Sequence, residues 1–211
     1  MATKQQQEIL SRLNREYHDT RSALEYKNAY ELLVATILAA QCTDVRVNMV
    51  TKDLFAKYPD ARALAAATVP EIENYIKSCG LYKNKAKNLQ LCAQRLCEAY
   101  GGEVPTEMED LTSLAGVGRK TANVVRAFAF HIPAMPVDTH VGRVANRIGF
   151  AHSKNPDIVE KELCAIIDQK DWCDAHHWMI WHGRRVCKAQ HPLCQSCVLA
   201  GLCPSETKEA K

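Results

Sequence analysis

Glu107–Phe130 reads EMEDLTSLAGVGRKTANVVRAFAF, and this stretch decides the fold class. Apolar Leu111 and Leu114 lead into a turn with glycine at 116 and 118. Val124, Val125 and Phe128 then recur on one face, which predicts helix, tight turn, helix. Gly116 and Gly118 permit positive φ and close approach of the backbone to a ligand. The amide groups that open the second helix point outward, where they can bind a phosphate. Such a contact fixes position rather than sequence. A plain αα-corner accounts for the same pattern without a ligand.

The same period extends outward in both directions. Leu32, Val34, Ala35, Ile37 and Leu38, then Val45, Val47, Met49, Val50, Leu54 and Phe55, then Leu89, Leu91, Cys92, Leu96 and Ala99 repeat at three and four residues. No segment reads as a strand, and 27 alanines against nine glycines and eight prolines in 211 residues favour helix. The fold class is therefore all-α, with breaks at 58–60, 69–70, 79–80, 101–105, 116–118 and 131–136. His131–Pro136 is the best boundary, because two prolines three apart cannot share one helix. Ser205–Lys211 is polar and expected to fray. Ile76–Ala86 faintly echoes Leu111–Thr121, each a helix end, a glycine and a basic helix start.

The most apolar run, Leu32–Ala40, is about half of the ~20 residues needed to cross a bilayer, so no membrane partner is expected. No apolar stretch follows the first charges, so the chain reads as cytoplasmic and not secreted. A formal charge of +3 is too small to demand a polyanionic partner, though clustered Lys and Arg could still bind one. Ten cysteines in a reducing compartment are available as metal ligands. Cys42, Cys79, Cys92, Cys97, Cys164 and Cys173 lie scattered in helical patterns and read as small buried hydrophobes. Cys187, Cys194, Cys197 and Cys203 pack four thiols into 17 residues. Such spacing suits an iron–sulfur cluster or a Cys₄ zinc site, and less well two disulfides. Spacing alone does not choose the metal.

Lys120 opens the helix after the glycine turn. At an ordinary pKa near 10.4 only ~1 lysine in 2,500 is neutral at pH 7, so a nucleophilic amine needs help from its setting. The positive helix N-terminus gives some by disfavouring the cation. Alone, Lys120 is a solvated charge or a phosphate contact. Asp138 lies 18 residues on, directly before the helical pattern Val141, Val144, Ala145, Ile148, and reads first as an N-cap. A capping carboxylate is held rigid, which also suits stabilisation of a cationic transition state.

Together, LAGVGRKTANVV, PVDTHVGRVANRIG and C-x6-C-x2-C-x5-C resemble the endonuclease III family of helix-hairpin-helix DNA glycosylases, from about residue 20 to Pro204. The resemblance implies two helical lobes with a cleft between them. One is a six-helix lobe over 22–132 holding the hairpin; the other is a cluster lobe from 1–21 and 133–211. It implies a [4Fe–4S] cluster on Cys187, Cys194, Cys197 and Cys203. It further implies a monomer that excises oxidised pyrimidines from double-stranded DNA and nicks the abasic strand, in the cytoplasm and, if the cell is bacterial, at the nucleoid. Because the target base must leave the stack, Gln41 and Leu81 would fill the vacated space, Leu81 as an apolar wedge. Gly116, Gly118, His140, Arg143 and Arg184 would contact DNA. Lys120 would attack the sugar C1′ and form a Schiff base that undergoes β-elimination, a task a permanently protonated arginine cannot perform. Asp138 would stabilise the oxocarbenium-like sugar and help handle the amine proton.

Three departures stand out. Ala115 occupies a position where the family usually has proline. Cys79 precedes Gly80 where a larger apolar side chain is common. Between Cys187 and Cys194 only Lys188 and His191 are basic, with Arg184 and Arg185 just before them. Two other readings remain at this level. A monofunctional mismatch glycosylase would release a base without nicking. A non-catalytic DNA-binding module with structural zinc would use Lys120 as one phosphate contact among several.

Overall fold

The computed structural model describes residues 2–205. Eleven α-helices and two 3₁₀ turns, with no strand, make up their regular structure. The chain forms two compact units, Ser22–Ile132 and Met1–Arg21 with Pro133–Lys211.

Within Ser22–Ile132 run α2 (Ala29–Ala39), α3 (Asp44–Lys57), α4 (Ala61–Ala66), α5 (Val69–Ile76), α6 (Tyr82–Tyr100), α7 (Met108–Thr112) and α8 (Arg119–Ala129). That is seven helices where six were expected. The additional break falls at Ala40–Thr43, which contains neither glycine nor proline. Gln41 takes a left-handed φ of 54°, and the Thr43 side chain caps α3 by accepting from the Arg46 amide. Asn28, Asp60 and the Thr68–Glu71 capping box start α2, α4 and α5 in the same way. Pro70 sits in the first turn of α5 rather than between helices, where its missing amide costs nothing.

The apolar run of α2 is buried on all sides from Leu32 to Leu38, so this helix is the axis of the unit. Leu54, Leu64, Ile72, Ile76, Leu89, Leu96, Leu111 and Val125 close the core around it. Four residues of the expected apolar faces point outward instead: Val45 at 73%, Met49 at 58% and Leu91 at 42% exposure, and Ala99. Val47, Val50 and Leu54 already fill one stripe of α3, and 45 and 49 lie on the opposite face. Ala93, not Leu91 or Ala99, completes the α6 face.

The other unit joins α1 (Lys4–Tyr17) to α9 (Thr139–Arg147), α10 (Pro156–Ile166) and α11 (Trp172–Arg185). Ile9, Leu13 and Tyr17, spaced by four on α1, pack with Val141, Val144, Leu163, Ala175 and Met179. Arg12 extends from α1 to donate to the Val198 carbonyl at 3.1 Å, so the N-terminal helix supports the cysteine-bearing loop. The tail expected to fray lies, after Ser205, outside the described residues.

Candidate functional site

The hairpin is built from α7, the turn over 113–118 and α8. Buried Leu111, Leu114 and Val117 anchor it, and the Val117 amide donates to the Leu114 carbonyl at 3.1 Å. Gly116 adopts φ +80°, and a Cβ there would lie 3.1 Å from the Asn88 Cβ, so glycine is required on both counts. Gly118 differs from the expectation of positive φ: its φ is −96°, and a Cβ would meet nothing within 4 Å. The N-cap of α8 is Gly118, which supplies no side-chain cap. Ala122, Asn123, Val124, Val125 and Ala127 bury the inner face of α8, while Arg119 and Lys120 are exposed on its first turn.

In the same unit, Gln41 and Leu81 occupy matching positions on two short loops. Both have left-handed backbones, φ 54° and 59°, and both are exposed, Leu81 at 58%. A Cβ on Gly80 would lie 3.2 Å from the Gln41 carbonyl oxygen, so the loops run almost in contact. Lys85 secures them. Its side chain is buried, and Nζ donates to the carbonyls of Leu38 at 2.8 Å and Ala40 at 2.6 Å. In the sequence Lys85 looks like one of several solvated cations at a helix start. Only the packing reveals that it neutralises the carbonyl end of α2, which has no basic residue of its own in its last turn.

In the other unit, Asp138 caps α9. Its Oδ1 accepts from the amides of His140 and Val141, both at 2.8 Å, and these bonds leave Oδ2 open among the described residues. The carboxylate is half-buried, its backbone held by the flanking buried Val137 and Val141. It borders a surface pocket whose wall includes Arg143, Arg147 and Lys154. His140 and Arg143, expected to face DNA, are largely committed within the protein. The Arg143 guanidinium donates to the carbonyls of Cys187 at 3.0 Å and Gly183 at 2.9 Å and meets His140 Nδ1 at 3.1 Å. Burial lowers the pKa of His140. Gly183 allows this approach, because a Cβ there would lie 3.1 Å from the His140 Cβ. Arg184 is exposed and stacks with Arg185 on the Trp181 ring, at 5.4 and 4.7 Å from its centre.

Cys187, Cys194, Cys197 and Cys203 line one pocket with Arg147, His182 and Leu199. Among the described residues no three Cys, His, Asp or Glu side chains converge as they would on a single ion. A ring of thiols around a pocket suits a larger inorganic cluster. Donors aimed at the sulfurs also fit one: the Leu199 amide lies 3.4 Å from Cys197 Sγ, and Arg147 Nη1 lies 3.4 Å from Cys187 Sγ. His182 Nε2 lies 3.7 Å from Cys197 Sγ, and Nδ1 of the same ring lies 3.1 Å from the Tyr17 hydroxyl. Burial takes His182 down to about 4 and Tyr17 up to about 12, so both are neutral at pH 7. No local pattern signals this pair, since Tyr17 and His182 lie 165 residues apart.

Residues 34–169 match the family model for HhH-GPD superfamily base excision DNA repair proteins. Residues 187–203 match that for the iron-sulfur binding domain of endonuclease III. The endonuclease III of Synechocystis sp. is 50% identical over 97% of this chain and 95% of its own length. That of Bacillus subtilis is 45% identical over 99% and 95%, and that of Escherichia coli K12 is 42% identical over 95% of each. A trapped endonuclease III–DNA covalent intermediate superposes with a TM-score of 0.94 at 46% identity over 100% of both chains. A non-covalent endonuclease III–DNA complex gives 0.93 at 47%, over 99% of this chain and 98% of that one. Matches of this extent, reaching through both the hairpin and the cysteine loop, show that the chain belongs to the endonuclease III family.

Proposed function

We propose that the chain is a bifunctional DNA glycosylase and abasic-site lyase, with Lys120 as nucleophile and Asp138 as the assisting carboxylate. It acts in base excision repair on oxidised pyrimidines in duplex DNA. The observation that carries this reading is a lysine, not an arginine or a neutral residue, exposed on the first turn of α8, in a chain with full-length similarity to an endonuclease III trapped covalently on DNA.

The chemistry proceeds from an uncharged Lys120 amine. Its nitrogen bonds to the sugar C1′ as the glycosidic bond to the damaged base breaks. Positive charge develops on the sugar, and Asp138 offsets it through Oδ2, the oxygen its cap bonds leave open. The same carboxylate takes the proton from the nitrogen now bonded to C1′ and passes it to the departing ring oxygen. Ring opening gives a Schiff base on Lys120, and β-elimination then breaks the C3′–oxygen bond and nicks the strand. The amides at the α8 N-terminus hold a backbone phosphate, while Gln41 and Leu81 occupy the space left by the extruded nucleotide. Cys187, Cys194, Cys197 and Cys203 hold a [4Fe–4S] cluster, which cross-links the loop that joins them. No described helix is long and apolar enough to cross a membrane, and a genomic DNA substrate places the protein in the cytoplasm at the nucleoid.

Duplexes each carrying one defined lesion test this function. Oxidised pyrimidines should be released with concomitant nicking. Release without nicking would assign the protein to monofunctional glycosylases instead.

A further inference from the structure

Cys42 and Cys79 belong to the two loops that carry Gln41 and Leu81, on either side of the point where the Gly80 backbone meets the Gln41 carbonyl, and each thiol lies within electrostatic reach of the other. Neither belongs to the 187–203 set. Both are held in short turns, the Cys42 amide on the Ala39 carbonyl at 3.1 Å and the Cys79 amide on the Ile76 carbonyl at 2.8 Å. The Gly80 backbone lies against the Gln41 carbonyl, and Lys85 clamps the chain at Leu38 and Ala40. The backbone on either side of the two thiols is thus fixed by contacts that do not depend on the thiols themselves.

We propose that Cys42 and Cys79 form a reversible disulfide that staples the Gln41 loop to the Leu81 loop when the protein meets a peroxide. Cys42 is the more accessible of the two, whereas Cys79 is buried, so the oxidant reaches Cys42 first. Hydrogen peroxide transfers one oxygen to the Cys42 thiolate, giving a sulfenic acid and hydroxide. The Cys79 sulfur then displaces the second hydroxide, forming the S–S bond. Two thiols lose two electrons and two protons, and peroxide becomes two waters. Lys85 and Arg46 favour the Cys79 thiolate, against the larger effect of burial, which pushes that thiol up to about 11. Cys79 therefore serves as the resolving thiol, and the second step limits the rate. A dithiol reductant reverses the bond.

The bond itself follows from the thiol pair; its consequence for DNA rests on the reading of Gln41 and Leu81 given above. A staple fixes the separation of two loops that must accommodate an extruded nucleotide, so the oxidised protein should nick damaged duplex several-fold more slowly.

The test treats the holoprotein with hydrogen peroxide, retaining only samples whose visible absorption is intact. Free thiols are then alkylated under denaturing conditions and the peptides mapped by mass spectrometry. The expected result is a Cys42–Cys79 linked peptide that disappears with dithiothreitol and is absent from Cys79→Ser and Cys42→Ser. Recovery of both cysteines fully alkylated, or linked indiscriminately to other cysteines, overturns the proposal. A linked peptide accompanied by unchanged nicking upholds the staple and removes Gln41 and Leu81 from the DNA contact.

Discussion

Asp138 Oδ1 receives both amide bonds that start α9, from His140 and Val141 at 2.8 Å, so one carboxylate oxygen holds the helix while the other is open. Capping and chemistry can therefore be separated by substitution. Asn caps as well as Asp, so Asp138→Asn should keep stability within about 0.5 kcal/mol and still lose most nicking, because the negative charge is gone. Asp138→Ala should lose both, at a stability cost of about 1 kcal/mol. Urea denaturation beside a nicking assay distinguishes the two. Full activity in Asp138→Asn would confine Asp138 to capping.

The two hairpin glycines should respond differently. Gly116→Ala places a Cβ against Asn88 at positive φ and should cost on the order of 1–3 kcal/mol. Gly118→Ala has φ −96° and open space, so its melting temperature should barely change. A loss of affinity for abasic duplex in a stable Gly118→Ala protein then reports a close approach of DNA to that backbone.

That contrast shows what was legible in the sequence. A glycine-spaced turn between two apolar periods identifies the hairpin, and the terminal cysteine spacing identifies a ligand set, because both are local patterns. The break at Gln41 was not legible, since a left-handed non-glycine residue carries no compositional signal. Period alone assigns Met49 and Leu91 to buried faces, because it does not say which of two apolar stripes meets the core. Lys85 and Arg143 act through carbonyls 40 or more residues away, and no spacing rule reaches that far. Arg143 ties α9 to α11 through the Gly183 carbonyl.

Tyr17 and His182 connect α1 to the cysteine loop. Tyr17→Phe removes a buried hydrogen bond and should lower stability by about 1 kcal/mol. Without its anchor the His182 ring also holds Cys197 less firmly, so iron should pass to a chelator faster than in the parent protein. Equal chelation rates would limit Tyr17 to packing.

His177 gives a pH dependence of stability. Burial holds it down to about 4 from its ordinary 6.5, so between those values the unfolded chain binds a proton that the native one refuses. Its contribution is complete above about pH 6.5 and is lost as pH falls toward 4, by a few kcal/mol in all. Denaturation midpoints at pH 7 and pH 5 should fall less in His177→Gln than in the parent. An identical decline in both would remove His177 as a source.

The central claim is a covalent bond between the Lys120 nitrogen and the sugar C1′. Borohydride added during turnover of a duplex with one oxidised pyrimidine reduces the Schiff base and fixes protein to DNA. The parent protein should give a stable adduct whose cross-linked peptide contains Lys120, and Lys120→Ala, at unchanged helix content and cluster absorption, should give none. An adduct that persists in Lys120→Ala, or maps to another amine, would contradict the assignment.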